Sequence, residues 1–350
     1  MRDLSTQETM PSQRYISFRK LRKWIAMWRS LLALPLILGG AAHAQELTLY
    51  AGGLKESGTK ESSPVWAFEY QHPLNENITT SFSWLNEGHV PGHHRDGQSI
   101  QIWGRTNLSD RRLSLSAGVG PYRYFDTTVS SAGGGYANIH GWGTVGSLAA
   151  TYYTDSRWLY QLRLNRIIAD NSINTSALMF GIGYQLEPVF ERGGQVSAPH
   201  QLEQTTSDEI TVFFGRTIVN SYSSQHDTAR AIEYRHGLSR YVDATLGLLN
   251  EGDARLIRRT GITAQVWGVR EVLASDRLVL GIGFGPYLAI DKYRAPVSGE
   301  SGTSKFSWIF TATAAFRFSK RWDTRLSWNR INTSYNRDTD VILLGAGYRF

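Results

Sequence analysis

Apolar and polar residues alternate with a period of two from residue 45 to the end of the chain, and no helical periodicity interrupts this pattern. The alternating segments form two groups, eight within 47–186 and eight within 209–350. Most are as long as the roughly 9–11 residues that a tilted strand needs to cross a membrane. The pattern predicts an all-β chain of sixteen strands.

Each predicted strand separates an apolar face from a polar face. In the segment 161–165, Leu162 and Leu164 lie opposite Gln161, Arg163 and Asn165. A soluble barrel would bury the apolar set, whereas a membrane barrel would turn it towards lipid. The alternation itself is the same in both cases, so other features of the chain must decide the direction.

The connections between the segments favour a membrane barrel with its apolar face outward. Short turns alternate with longer loops, among them 88–97 and 252–260. Such alternation is typical of outer-membrane barrels and is absent from soluble β-sandwiches. Aromatic residues near the strand ends are expected to form the two interfacial girdles. They are Trp66, Tyr70, Tyr122, Tyr124, Trp142, Trp158, Tyr234, Tyr287, Trp322 and Tyr348.

The chain contains an internal duplication with an offset of about 164 residues. This period is the size of a small domain and far longer than that of a solenoid repeat. Matching pairs of segments follow one another in the same order in both halves. They include 67–72 with 231–236, 85–88 with 249–252, 101–104 with 265–268, and 165–167 with 329–331.

Residues 1–44 have the pattern of a cleaved signal peptide. A basic region, 19–29, precedes a short apolar run, 31–38, and the small-x-small sequence 42–44 follows. The apolar run is too short for a membrane-spanning helix, which needs about 20 residues. We expect export with cleavage after Ala44.

The composition excludes several kinds of site. The chain has no cysteine, so disulfides, thiolate zinc sites and cysteine nucleophiles are ruled out. Its formal charge is +7, but residues 1–44 hold seven Arg and Lys against two acidic residues and so account for +5 of it. The remaining +2 does not support binding of nucleic acid.

The inward-facing polar residues and the polar segment 188–208 predict two tandem eight-stranded antiparallel transmembrane β-barrels, 45–187 and 209–350, joined by a linker. In so narrow a lumen the polar residues would form a charge-assisted hydrogen-bond network. The predicted network residues are Glu69, Gln101, Arg163 and Asn165, repeated as Glu233, Gln265, Arg325 and Asn329. The alternative is one 16-stranded porin-like barrel, in which these residues would line a water-filled channel.

The last strand, Gly345-Ala-Gly-Tyr-Arg-Phe350, resembles the C-terminal signal of bacterial outer-membrane β-barrel proteins. In that family a terminal Gly-x-x-aromatic-x-aromatic strand is read by the barrel-assembly machinery. The resemblance implies that Gly345, Tyr348 and Phe350 serve as an assembly signal and that the protein resides in the outer membrane. A weaker copy at residues 181–186 indicates that an ancestral eight-stranded barrel ended there.

Candidate chemical sites are few. His89, His93 and His94 share one loop, but the second half has no histidine there, so we interpret them as part of a hydrated surface loop. Arg166 and its repeat Arg330 could pair with a lipid phosphate or hold the base of a loop. No catalytic, cofactor-binding or metal-binding residues are predicted.

These features predict an outer-membrane β-barrel protein with a non-enzymatic structural or surface-interaction role. Its expected partners are outer-membrane lipid, lipopolysaccharide and the barrel-assembly machinery, and nucleic acid is not among them. A porin-like channel for small solutes is the first alternative. A lipid A-modifying enzyme is the second, although the stretches 163–167 and 326–331 lack the His-x-Ser pair of the lipid A deacylases.

Overall fold

The computed structural model describes residues 45–109, 112–129, 135–186, 206–221, 224–254, 256–272, 277–291 and 304–350. The predicted signal peptide, its cleavage after Ala44 and all but the last three residues of the predicted linker lie outside these ranges. Within them the chain forms sixteen β-strands. None of the described residues belongs to a helix long and apolar enough to span a membrane.

Eight strands belong to each half of the chain. The first eight are β1 Glu46–Glu56, β2 Ser62–Pro73, β3 Ile78–Val90, β4 His93–Leu108, β5 Leu113–Val129, β6 Tyr136–Tyr153, β7 Trp158–Ala169 and β8 Thr175–Gln185. The others are β9 Glu209–Val219, β10 His226–Ser239, β11 Val242–Ala254, β12 Ile257–Val272, β13 Leu278–Ala289, β14 Phe306–Arg317, β15 Trp322–Asn332 and β16 Thr339–Arg349.

Each set of eight strands closes on itself as an antiparallel barrel. In the first, β1 pairs with both β2 and β8, with Tyr50 opposite Gly181. In the second, β9 pairs with both β10 and β16, with Phe213 opposite Gly345. Closure satisfies the backbone groups at what would otherwise be sheet edges. The prediction of two eight-stranded barrels is confirmed, and the alternative of one 16-stranded barrel is wrong.

The apolar face of the strands points outward and the polar face points into the lumen. On β7, Leu162 and Leu164 are about half exposed (53% and 51%) whereas Gln161 and Arg163 are buried (2% each). The same alternation continues around both barrels, with Ile102, Phe180, Leu246, Val266 and Leu344 among the exposed apolar side chains. This arrangement is that of a membrane barrel and the inverse of a soluble one.

The two ends of each barrel differ, and we name them by the chain termini. The proximal end carries the first residue of the first strand and the last residue of the eighth, and the distal end is opposite. At the distal end β3 continues to Val90 and β4 starts at His93, so only Pro91 and Gly92 connect them. The long loops predicted at 88–97 and 252–260 are therefore wrong, since both segments are mostly extensions of hairpins.

The aromatic girdles are only partly as predicted. Trp158 and Trp322 are exposed (47% and 46%) on the outer face. Tyr122, Tyr124 and Tyr287 are instead buried inside the barrels, each no more than 1% exposed. They lie on the lumen side of the alternation in β5 and β13 and serve the interior, where their hydroxyls bind polar groups.

The outward apolar face can be tested with Leu162→Arg. A charge placed there should destabilise the barrel by about 2–4 kcal/mol, as arginine does near the middle of a bilayer. The control is Leu238→Arg, because Leu238 is equally exposed (55%) but lies beside the proximal turn, where the cost should be about 0–1 kcal/mol. Urea unfolding in lipid vesicles would measure both, and equal losses would contradict the assignment of the faces.

Candidate functional site

Arg163 organises a buried polar cluster in the centre of the first barrel, which we call the middle cluster. Its Nη1 donates to Glu69 Oε2 (2.5 Å), its Nη2 to Gln101 Oε1 (2.6 Å) and its Nε to Asn165 Oδ1 (2.8 Å). These side chains come from β2, β4 and β7, and none is more than 7% exposed. The structure thus brings together all four residues that the sequence singled out in the first half.

Neighbouring side chains complete the middle cluster. The hydroxyl of Tyr50 lies 3.0 Å from Glu69 Oε1 and 2.6 Å from Gln161 Oε1, and its single proton is donated to one of these two acceptors. The guanidinium of Arg163 lies 4.8 Å from the ring centre of Trp103, within the range of a cation–π contact. A buried ion pair is tolerated when its remaining donors and acceptors are hydrogen-bonded, and that condition is met here.

The second barrel does not repeat this geometry. Arg325 occupies the position of Arg163, but its Nη2 donates to Glu209 Oε1 (2.5 Å) and its Nη1 lies 3.6 Å from Glu233. Arg235, which is also buried, donates to Glu233 (3.1 Å) and pairs with Asp243 (3.3 Å). Two arginines thus share several carboxylates nearer to the proximal end.

The other two predicted residues of the second barrel meet through a threonine. Gln265 Nε2 donates to Thr311 Oγ1 (2.8 Å), which donates to Asn329 Oδ1 (2.9 Å). In the first barrel Ser147 occupies the place of Thr311, between Gln101 and Asn165. The link from a glutamine through a hydroxyl to an asparagine is therefore present in both barrels. The arginine differs, since Arg163 donates to Glu69 and Arg325 donates to Glu209.

A second buried cluster lies at the distal end of each barrel and is the same in both. In the first barrel Arg95 donates from Nε and Nη2 to the two oxygens of Glu87 (2.5 and 2.9 Å). Tyr122 donates to the same carboxylate (2.7 Å), and Thr175 also binds it. We call this set the distal cluster.

The distal cluster of the second barrel has the same contacts. Arg259 donates to both oxygens of Glu251 (2.5 and 2.7 Å), Tyr287 donates to it (2.8 Å), and Thr339 donates to it (2.6 Å). A two-point Arg–carboxylate pair adds geometric specificity to the charge attraction. The same set of contacts therefore links the inward-facing side chains at the distal end of both barrels.

A β-bulge places the acid of each distal cluster. Opposite Arg95 on β4, two residues of β3, Glu87 and Gly88, take the place of one. Gly88 has a positive φ of 66°, and its amide donates to Asn86 Oδ1 (3.1 Å). A side chain on Gly88 would run into Ser63 and the carbonyl of Pro64, so glycine is required.

The second barrel has the same bulge, with Glu251 and Gly252 (φ 80°) opposite Arg259. The repeated Leu-Asn-Glu-Gly motif therefore encodes this bulge. The sequence contained a signal for the arginine as well, because Arg95 and Arg259 stand at the same offset of about 164 residues. The sequence pattern places both arginines in predicted loops, and the structure shows that they lie on β4 and β12.

A third cluster lies at the proximal end of the first barrel. Arg105 donates to the hydroxyl of Tyr153 (3.0 Å), which donates to Glu46 (2.9 Å). Arg105 lies 3.9 Å from Glu46. The lumen of the first barrel is thus crossed by charged side chains at three levels. Apolar side chains such as Leu54, Val65 and Met179 pack between them.

The two barrels touch through outward-facing side chains, and we call this region the barrel contact. Trp84 of β3 is fully buried although it points out of its own barrel. It stacks on Phe310 of β14 (centroids 4.9 Å apart) and meets Trp328 of β15 edge to face (4.6 Å). Phe82 and Phe125 join the same cluster. Offset and edge-to-face pairs of this kind add to the stabilisation from burial.

Charged groups border this aromatic cluster on the distal side. Arg330 of the second barrel pairs with Asp340 of its own barrel (2.6 Å) and with Asp96 of the first (3.0 Å). His140 of the first barrel binds Asp338 in the β15–β16 connection (2.6 Å). Burial raises the pKa of Asp338, but the hydrogen bond from His140, the positive charges of His140 and Arg330 and a hydrogen bond from the Thr333 amide together outweigh it, so the pKa ends below its ordinary value. The barrel contact is therefore both apolar and ion-paired.

The three histidines of the first barrel and the residues of the last strand lie at separate sites. His93 binds Asp126 (2.7 Å), and His89 stacks on His94. No three His, Asp or Glu side chains among the described residues are grouped so as to hold a metal ion. Gly345 faces the lumen against Phe213, while Tyr348 meets Trp322 edge to face and stacks on Phe350 on the outside.

Comparison with known proteins gives similarity to solved structures alone. No family model matches the chain, and no curated protein matches it. The N-terminal β-barrel domain of Pseudomonas aeruginosa OprF is 11% identical (TM-score 0.33), with 41% of this chain and 98% of that chain covered. Ail of Yersinia pestis is 12% identical (TM-score 0.32; 41% and 97% covered), and Neisserial surface protein A is 8% identical (TM-score 0.32; 42% and 99% covered). The chain is thus similar to small outer-membrane β-barrel proteins.

The middle cluster can be tested with Arg163→Met. This variant leaves Glu69 buried without its counter-charge and should lower the free energy of unfolding by about 3–5 kcal/mol. The double variant Glu69→Gln/Arg163→Met removes both charges and should recover much of the loss. Urea titration followed by tryptophan fluorescence measures the difference. Equal losses in both variants would show that the ion pair itself is not what the cluster depends on.

The barrel contact can be tested by comparing the two copies of one motif. Arg330→Ala leaves the buried Asp96 and the partly buried Asp340 without their cationic partner and should cost about 3–5 kcal/mol. Arg166→Ala, at the equivalent exposed site of the first barrel, should change stability by no more than about 0.5 kcal/mol. The same titration compares them, and indistinguishable midpoints would argue against the ion pair across the barrel contact.

Proposed function

We propose that this protein resides in a bacterial outer membrane and that its role is structural or in contacts at the cell surface, with both lumens closed to solutes. The observation that carries the proposal is the filling of both lumens by buried, hydrogen-bonded Arg–carboxylate clusters. A channel would need these charged groups to be solvated by water along a continuous path. Here they are instead paired with one another and buried.

The exposed apolar wall supports the membrane location. Monomeric soluble proteins rarely expose contiguous apolar patches of more than a few hundred Å². In both barrels the outward positions of successive strands are occupied by Leu, Ile, Val and Phe, as at Leu178 (51%) and Phe214 (61%). Tryptophans lie at the ends of this wall, as expected at a bilayer interface.

The lumen of the second barrel lacks the regular middle cluster of the first, so any opening for solutes is more readily expected there. A polar cavity near its proximal end, lined by Glu209, Arg235, Asp323 and Arg325, has a volume of about 10 Å³. That is room for about one water molecule. A cavity of this size supports a closed lumen and not a pore for solutes.

The proposed orientation rests on where the first and last strands of each barrel begin and end. Short turns mark the periplasmic side of outer-membrane barrels, and both termini of each barrel lie at the proximal end beside turns such as 74–77 and 240–241. We therefore place the proximal ends at the periplasm and the distal ends at the cell surface. The partners in this arrangement are outer-membrane lipid and lipopolysaccharide around the wall, and the barrel-assembly machinery during insertion.

Conductance in a planar bilayer tests the proposal. Residues 45–350, refolded and shown to be folded by heat-shifted mobility on a gel, should give no conductance steps. Large stable steps would overturn the closed-lumen proposal and make the protein a channel. Arg163→Ser/Glu69→Ser, which opens the middle cluster, is the comparison variant. If it also stays silent while folded, the distal clusters are sufficient to close the barrel.

A further inference from the structure

An open groove of about 890 Å³ runs across the outer wall of the first barrel, near its distal end. Its volume lies within the range of roughly 300–1,000 Å³ that is usual for ligand sites. Leu148, Leu164 and Leu178 form much of its floor. The groove belongs to the outward face, since all three leucines are more than half exposed.

The strand register arranges the lining of this groove in two rows. Leu148, Leu164 and Leu178 are direct cross-strand neighbours, and Gly53 of β1 continues the row. A Cβ atom built on Gly53 would meet nothing within 4 Å. The glycine therefore leaves open space beside three leucines, wide enough for an apolar chain to lie against the wall.

The second row lies one step nearer to the distal end and is cationic. Arg166 of β7 and Lys55 of β1 both stand directly opposite Ser176 of β8. Neighbouring strands are about 4.8 Å apart, so the backbones of the two cations are separated by about 10 Å. Their side chains are long enough to reach one phosphate group between them.

Both cations are available for a ligand. Arg166 donates to the hydroxyls of Ser57 (2.5 Å) and Ser176 (2.9 Å), which are neutral. Neither Arg166 nor Lys55 forms an ion pair with any acid among the described residues, and both are exposed. A positive charge that is oriented by hydroxyls and has no acidic partner is suited to a charge-assisted bond with phosphate.

The residues of the second barrel at the positions of Arg166, Ser176 and Lys55 make different contacts. Its motif arginine, Arg330, is buried and paired with Asp340, which stands where Ser176 stands in the first barrel. Ile218 lies beside Asp340 where Lys55 lies beside Ser176. Arg330 thus forms ion pairs at the barrel contact, whereas Arg166 has only hydroxyl partners among the described residues.

We propose that the groove binds a phosphorylated glycolipid of the outer leaflet, with a phosphate between Lys55 and Arg166 and an acyl chain along the leucine row. The cationic row lies towards the cell surface and the leucine row towards the membrane centre, as the headgroup and chains of such a lipid require. Ser62 and Ser176 supply hydroxyls for the sugar at the same level. This inference rests on the proposed outer-membrane location and orientation.

Native mass spectrometry of the refolded chain tests the site. Residues 45–350 are placed in phosphatidylcholine nanodiscs containing a small fraction of lipid A, and the lipid A retained by the ejected protein is counted. Lys55→Ala/Arg166→Ala should reduce retention at least tenfold by removing the charges. Gly53→Leu should reduce it similarly by filling the groove, without a clash in the barrel.

Two control variants separate the groove from general effects. Arg230→Ala removes an exposed outward-facing arginine of the second barrel. Gly104→Leu adds a leucine to the outer wall at a site where the new Cβ atom meets nothing within 4 Å. Both should retain lipid A as the unmodified protein does. A loss in either control equal to that in the groove variants would overturn the proposal.

Two further outcomes are decisive. Retention that is unchanged in both groove variants would overturn the site, and displacement of lipid A by an equal amount of phosphatidylglycerol would overturn the assignment to a glycolipid. The membrane location is tested separately by fractionation of cells that express the full chain. Protein found outside the outer membrane would contradict the proposed function. Protein found in it without selective lipid A retention would contradict the groove alone.

Discussion

An eight-stranded barrel encloses a lumen only as wide as the side chains that fill it. Charged groups placed there cannot keep a shell of water, so each must find its partners among the other inward side chains. Arg163 meets this requirement with Glu69, Gln101 and Asn165, and Arg95 meets it with Glu87. The bulge that places Glu87 and the buried hydroxyls of Tyr50 and Tyr122 supply further partners to these clusters.

The two barrels share some of these contacts and differ in others. The distal cluster is the same in both barrels, because the bulge motif carries its glutamate and glycine together. The middle cluster differs between the barrels, because Arg325 donates to Glu209 whereas Arg163 donates to Glu69. The two arginines at matching positions of the outer wall have different contacts. Arg330 joins the two barrels through Asp96, whereas Arg166 faces the membrane beside Ser176.

The barrel contact explains how two small barrels can act as one membrane protein. Apolar side chains alone give little reason for two lipid-facing walls to associate, since lipid chains are equally apolar. Here Trp84, Phe310 and Trp328 interlock by shape, and the pairs of Arg330 with Asp96 and of His140 with Asp338 hold polar groups away from lipid. Burying such groups is favourable only where both partners are present, which makes the contact specific.

Local pattern was sufficient to predict the strands and to separate the two faces of each strand, because a period of two can be read directly from the chain. It also singled out Glu69, Gln101, Arg163 and Asn165, since these share one face of their strands. Only the tertiary structure decided which face was inside, which strands closed each barrel, and which partners each arginine chose. Arg166 and Arg330 occupy identical motifs, yet one is exposed and the other buried, because burial depends on residues distant in the chain.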